Sequence, residues 1–161
     1  MNRRRLLAFC AFLGAILLVP IGIIALNEFR LASGTHVLLH VEPVDPNDPF
    51  RGEYVALNYD ISRVPVAGTT RPGSQVYVVL EKRGRVWTGG RAVVDRPSDD
   101  ETFIRGESRN GRIEYGIETY YVEEGESPRY ERAIASQELY VDVVLDDDGR
   151  AQIDKLVVIR N

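Results

Sequence analysis

Glu114, Glu118, Glu123, Glu124 and Glu126 crowd together in the chain, with Tyr115, Tyr120 and Tyr121 among them. Two carboxyl groups held about 5–10 Å apart can protonate and hydrolyse a glycosidic bond. Phenol rings stack well on sugar faces, so Glu118, Tyr120 and Glu124 are candidate ligand contacts. The same residues on the solvent side of an exposed strand would make this pattern without any chemistry. A second stretch, Arg51-Gly-Glu-Tyr-Val-Ala-Leu-Asn-Tyr59, follows a loop stiffened by Pro43, Pro46 and Pro49. There Gly52 supplies a backbone angle closed to other residues, and Glu53 can meet Arg51 or a backbone amide. Alternation puts Tyr59 with Val55 and Leu57 on the buried side, so its phenol needs an internal partner. Three readings stay open for this stretch. It is a hydrogen-bonded corner that fixes a strand in register, a ligand pocket lined by Glu53 with Tyr54 and Tyr59, or a catalytic site.

Other chemistries find little footing. The single cysteine, Cys10, lies in an apolar run, and His36 and His40 are the only histidines. On a strand those two would stand about 13 Å apart, too far for one zinc ion. Asp146-Asp-Asp-Gly149 lacks the spaced acids of a calcium loop and suits a hairpin turn instead. No serine has a Gly-x-Ser-x-Gly setting, and no glycine-rich loop could cradle phosphate. The net charge of −4 becomes more negative once the arginines at the start are set aside, which disfavours nucleic acid. No catalytic residue, metal or cofactor is therefore assigned, and a non-enzymatic role is expected.

The elements around these residues begin with Leu6–Leu26, an apolar run without a charge. As a helix it would be about 30 Å long, the thickness of a bilayer's hydrocarbon core. Arg3, Arg4 and Arg5 precede it, which orients the N-terminus to the cytoplasm and carries the rest outward. The run is too long for a cleaved signal and lacks a small-x-small site; Phe9 before Cys10 disfavours a lipoprotein signal. The expected organisation is a basic N-terminus at 1–5, a transmembrane helix at 6–26, a linker at 27–34 and an extracytoplasmic domain at 35–161.

Within that domain the hydrophobic period becomes two. Strands are predicted at 35–42, 54–61, 76–82, 85–94, 103–107, 112–122, 138–145 and 151–159. Asn110-Gly111 is the strongest turn signal, and Gly89-Gly90 predicts a bulge. One soluble helix is predicted over 128–137, with Ser127 as its N-cap and Pro128 at its first position. The fold class is mainly β, an antiparallel sandwich or barrel-like domain with one short helix, because helices do not alternate with strands.

The stretch from Glu42 through Tyr59 resembles the signature of the GDYXXLXY family of bacterial membrane-anchored proteins. Gly52, Tyr54, Leu57 and Tyr59 match the named positions, and Glu53 stands where the family has Asp. Tyr115 to Gly125 is similar to a second block of that family. The resemblance implies an anchored module in the cytoplasmic membrane that works beside a multi-spanning membrane protein. It carries no catalytic residue onto this chain. Expected partners are thus the lipid bilayer, through the N-terminal helix, and another membrane protein. The alternative expectation is a domain that binds or cleaves envelope carbohydrate with paired glutamates.

Overall fold

The computed structural model describes residues 12, 14, 16–25, 28, 33–43, 54–67, 70–123 and 125–159. The chain divides into two units, residues 1–33 and 34–161. In the first, residues 16–25 are helical and every one of them is exposed. Among the described residues no helix is long and apolar enough to cross a membrane. The expected span of 6–26 reaches beyond those residues.

The second unit is a curled, half-barrel sheet with a small ribbon beside it. Strand β1 (Thr35–Glu42) lies at its centre, and its alternation buries Val37, Leu39 and Val41 completely. The ribbon and its neighbours begin with β2 (Tyr54–Ala56) and β3 (Asn58–Tyr59), followed by a 3-10 turn at Asp60–Arg63. Then come β4 (Gln75–Arg83), β5 (Val86–Val93), β6 (Phe103–Arg109), β7 (Arg112–Glu114) and β8 (Thr119–Tyr121). Helix α1 (Ser127–Ala135) precedes β9 (Leu139–Leu145) and β10 (Ala151–Val158). The sheet order is β10-β9-β1-β5-β4-β6-β7, with β3 paired to β1, while β2 and β8 pair only with each other.

The predicted mainly β character is thus the observed one, with differences that have local causes. The pairing is not wholly antiparallel: β1 and β5 run parallel at Leu39 and Trp87. A parallel neighbour needs a long connection, and the chain between them, including β4, provides it. The single strand expected at 54–61 is interrupted at Leu57, where the chain changes partner. The Leu57 N–H still continues the β2–β8 register to the Glu118 carbonyl at 2.8 Å, and Asn58–Tyr59 pair with β1 instead. The strand expected at 112–122 breaks at Tyr115–Glu118, where Gly116 has φ +80°. Helix α1 is capped at Glu126 rather than Ser127, with no side-chain cap bond. It ends at Ala135, short of the expected 137, because Gln137 turns left-handed at φ +58° and the Glu138 N–H reaches back to the Ala133 carbonyl at 2.8 Å.

The turn signals translate directly. Asn110 and Gly111 take φ +51° and +76° between β6 and β7, as a type I′ hairpin requires. Gly90 is the extra residue where Val79 faces Arg91 and Leu80 faces Gly89, so the glycine pair makes the bulge. Gly106 has a different task. A Cβ there would lie 2.6 Å from the Glu114 carbonyl oxygen and 2.6 Å from the Ile113 side chain. Because one of those neighbours is backbone of the paired strand, it cannot swing aside. Gly106→Ala is expected to destabilise the fold by about 1–3 kcal/mol, lowering the melting midpoint by several degrees in a thermal scan.

Candidate functional site

Breaking two strands inside the domain leaves carbonyls that the ladder no longer serves. Tyr59, completely buried at the end of β3, donates its phenol to the Ile117 carbonyl at 2.8 Å. Tyr115, buried after β7, donates to the Ile61 carbonyl at 2.8 Å. Each tyrosine therefore satisfies a carbonyl two residues beyond the other. The two rings meet edge to face, 6.5 Å between centroids and 79° between planes. The Glu118 carboxylate closes the corner by accepting the Tyr115 N–H at 2.5 Å. Arg112 adds a bond from its guanidinium to the Asn58 side-chain oxygen at 3.0 Å.

Around this clasp the structure brings together many of the residues singled out from sequence. Tyr54 stands opposite Tyr121 in the β2–β8 ribbon, edge to face at 6.3 Å. Leu57 is buried, and Tyr120 lies opposite Val55 and packs on the core. Glu118 joins the clasp through both its backbone carbonyl and its carboxylate. Arg51, Gly52, Glu53 and Glu124 lie outside the described residues.

Three further groupings went unseen in the sequence. Beside β1, the Arg63 guanidinium sits 3.0 Å from a buried Glu42 oxygen, an ionic contact without an aligned N–H. Asp60 is next to them, its carboxyl accepting the Ile61 N–H at 2.7 Å. Burial pushes the Asp60 pKa up, opposed by that N–H and by His40. Asp60 was legible only as a polar strand position; the 3-10 turn rotates it inward. On the outer face of β1, β9 and β10, His36 Nδ1 lies 3.1 Å from Asp142, with Asp154 close by. These three could offer ligands to a cation, but the Lys155 ammonium already stands 3.6 Å from Asp142 and 3.1 Å from Asp154.

The third grouping is a cleft of about 520 Å³ lined by Arg105, Arg109, Arg150, Glu107, Glu114 and Glu118. Arg109 holds Glu107 at 3.1 Å and Glu114 at 3.3 Å. With Glu118 held by the Tyr115 amide, each of the three acids is engaged. Among the described residues, the Arg105 and Arg150 guanidinium groups have no side-chain partner. Paired acids held this way by an arginine and an amide are poorly arranged for acid–base exchange.

The clasp has a measurable signature. Burial, reinforced by the Glu118 charge, pushes both phenol pKa values well above the ordinary value near 10. In the unfolded chain they ionise near pH 10, so the folded state's advantage is full below that pH and shrinks above it. The expected loss is about 1.4 kcal/mol per pH unit for each tyrosine until the folded-state pKa is reached. Urea unfolding of the full chain in detergent micelles, followed through the single tryptophan, Trp87, should show stability nearly level at pH 9 and falling toward this slope above about pH 10. Tyr59→Phe should destabilise by about 1–3 kcal/mol at neutral pH by orphaning the buried Ile117 carbonyl. Tyr115→Phe should cost less, about 1 kcal/mol, since the Ile61 carbonyl keeps a long bond from the Val64 N–H at 3.5 Å. The double variant should also flatten the alkaline slope.

Neither the curated proteins nor the solved structures contain a match to this chain. One family description, GDYXXLXY protein, matches residues 16–156. Tyr54, Leu57 and Tyr59, three of its named positions, are here a ribbon ring contact, a core side chain and one half of the clasp. With most of its length matched, the chain belongs to the GDYXXLXY family.

Proposed function

We propose that the protein is a membrane-anchored accessory module that presents its β-rich domain outside the cytoplasmic membrane and acts by binding another membrane protein. The observation that carries the anchor is the helix at 16–25, whose apolar side chains are uncovered. Leu17, Leu18, Val19, Ile21, Ile23 and Ile24 are each more than half exposed. Uncovered apolar surface of this kind is unfavourable in water by about 25 cal/mol per Å² and is relieved in hydrocarbon. The arginines at 3–5 support the orientation. The interaction role is supported by the engaged state of the acids in the arginine-lined cleft and by the saturated clasp. Both favour recognition over turnover. A carbohydrate site built on Glu118 and Tyr120 has less support, since Glu118 is committed to the Tyr115 amide.

Alkaline carbonate extraction of cells expressing the full chain tests the anchor. The protein is expected in the membrane pellet, and Leu17→Lys with Leu18→Lys and Val19→Lys should release it. Recovery of the unsubstituted chain in the soluble fraction would reject the anchor. Cross-linking followed by affinity isolation from solubilised membranes tests the partner, and repeated isolation of no membrane protein would reject that part.

A further inference from the structure

The half-barrel does not close. Among the described residues, β10 pairs in the sheet with β9 alone, and β8 pairs in the ribbon with β2 alone. The outer edges of β8 and β10 face a shared groove of about 420 Å³, lined by Ile117, Thr119, Tyr121, Ala151, Gln152 and Ile153. This groove runs into the arginine-lined cleft, with Gly116 and Ala151 common to both. Among the described residues, the one backbone hydrogen bond that crosses from β6–β8 to the β10 side is Arg105 N–H to the Gly149 carbonyl, 2.8 Å. Beyond that bond the two edges part, each keeping a row of backbone donors and acceptors without a strand partner.

We propose that this seam takes an extended, carboxylate-bearing segment of another polypeptide as an added strand between β8 and β10, its acid meeting Arg105 and Arg150. The proposal deepens the interaction-module reading, on which it rests, by assigning the edge and the ligand chemistry. Three observations carry it. Two free edges facing one groove are what strand addition needs, since backbone bonds supply affinity and alternate side chains supply selectivity. The cleft at the groove's end carries three arginines and three glutamates. Among the described residues the Arg105 and Arg150 guanidinium groups have donors with no side-chain partner, while each carboxylate already accepts from Arg109 or the Tyr115 amide. Gly116 stands at φ +80° with nothing within 4 Å of where a Cβ would be, leaving room for an incoming backbone.

The rest of the edge is guarded. The register slips between Ile153 and Lys155, making Asp154 an extra residue, and both Asp154 and Lys155 are exposed. A bulge with charges discourages indiscriminate pairing along the middle of β10. What stays available is Ala151–Ile153, the part that lines the groove with Thr119–Tyr121.

The test is selection of a random dodecapeptide display library on the full chain in detergent micelles, counter-selected on the Arg105→Ala, Arg150→Ala variant. Enrichment of acid-bearing peptides is expected, with binding at least about tenfold weaker to the double variant. The best peptide should raise amide hydrogen-exchange protection at 119–121 and 151–153. An N-methylated copy, with its backbone donors removed and side chains kept, should not bind. The proposal is overturned by any of three results: no enrichment over the double variant, protection confined elsewhere, or undiminished binding of the N-methylated copy. A dimer of the free chain that already protects 151–153 would overturn it as well, by assigning the edge to a second copy. A chain that pellets with membranes but selects no peptide overturns the seam and leaves the anchor standing. One that selects peptides yet extracts as soluble does the reverse.

Discussion

A β domain can interrupt its own strands only if every carbonyl released inside finds another donor. Here that constraint is met by two phenols. The backbone changes partner strand at Leu57 and leaves the ladder at Tyr115–Glu118, and Tyr59 and Tyr115 reach across to the Ile117 and Ile61 carbonyls. Because the bonds are reciprocal, neither segment can shift register without stranding a polar group in the core, an outcome that costs about 1–3 kcal/mol per group. The clasp thereby holds the β2–β8 ribbon beside the sheet without making it part of the sheet. That separation leaves the outer edge of β8 unpaired. Architecture and the proposed recognition site thus share one cause.

How the acids and arginines are committed follows from the same arrangement. The hairpin of β6 and β7 brings Arg109 between Glu107 and Glu114, and the break after β7 turns the Tyr115 amide toward Glu118. Arg105 and Arg150 come from different parts of the chain, the middle of β6 and the residue before β10, and among the described residues neither meets an acid. An overall acidic protein therefore carries a cleft in which three arginines balance three glutamates but two guanidinium groups keep unused donors. Net charge was a poor guide to it because only the fold decides which charges cancel.

Local patterns were readable because they are enforced locally. The alternation of Thr35–Glu42 places Val37, Leu39 and Val41 inward as the period of two demands, and Asn110-Gly111 turns where positive φ is tolerated. The glycine pair at 89–90 is likewise a bulge for a reason visible in the residues themselves. The strand breaks were not readable. Val55, Leu57, Tyr59 and Ile61 keep the alternation unbroken, and the interruption comes from a change of partner strand, from β8 to β1, that only the fold decides. Tyr59's need for an internal partner could be inferred, but not that the partner is the Ile117 carbonyl, distant in sequence. Asp60, Arg105 and Arg150 had no local signal, since a turn and a sheet edge give them their setting. The parallel β1–β5 contact was equally hidden, as it depends on which strands become neighbours across a long connection.

The position of β1 has a consequence for how the domain forms. This strand comes first in the domain, and although β3 follows soon after, its two main partners arrive late: Leu39 waits for Trp87 on one side and Val141 on the other. Pairings so distant in sequence are slow to form, because a large loop must close before any contact repays it. Until β9 emerges, the centre of the sheet has no complete neighbourhood and its apolar residues stay open to wrong associations. Synthesis order therefore works against folding order here, and a chain threaded across a membrane before it folds would be delivered in the state this topology prolongs.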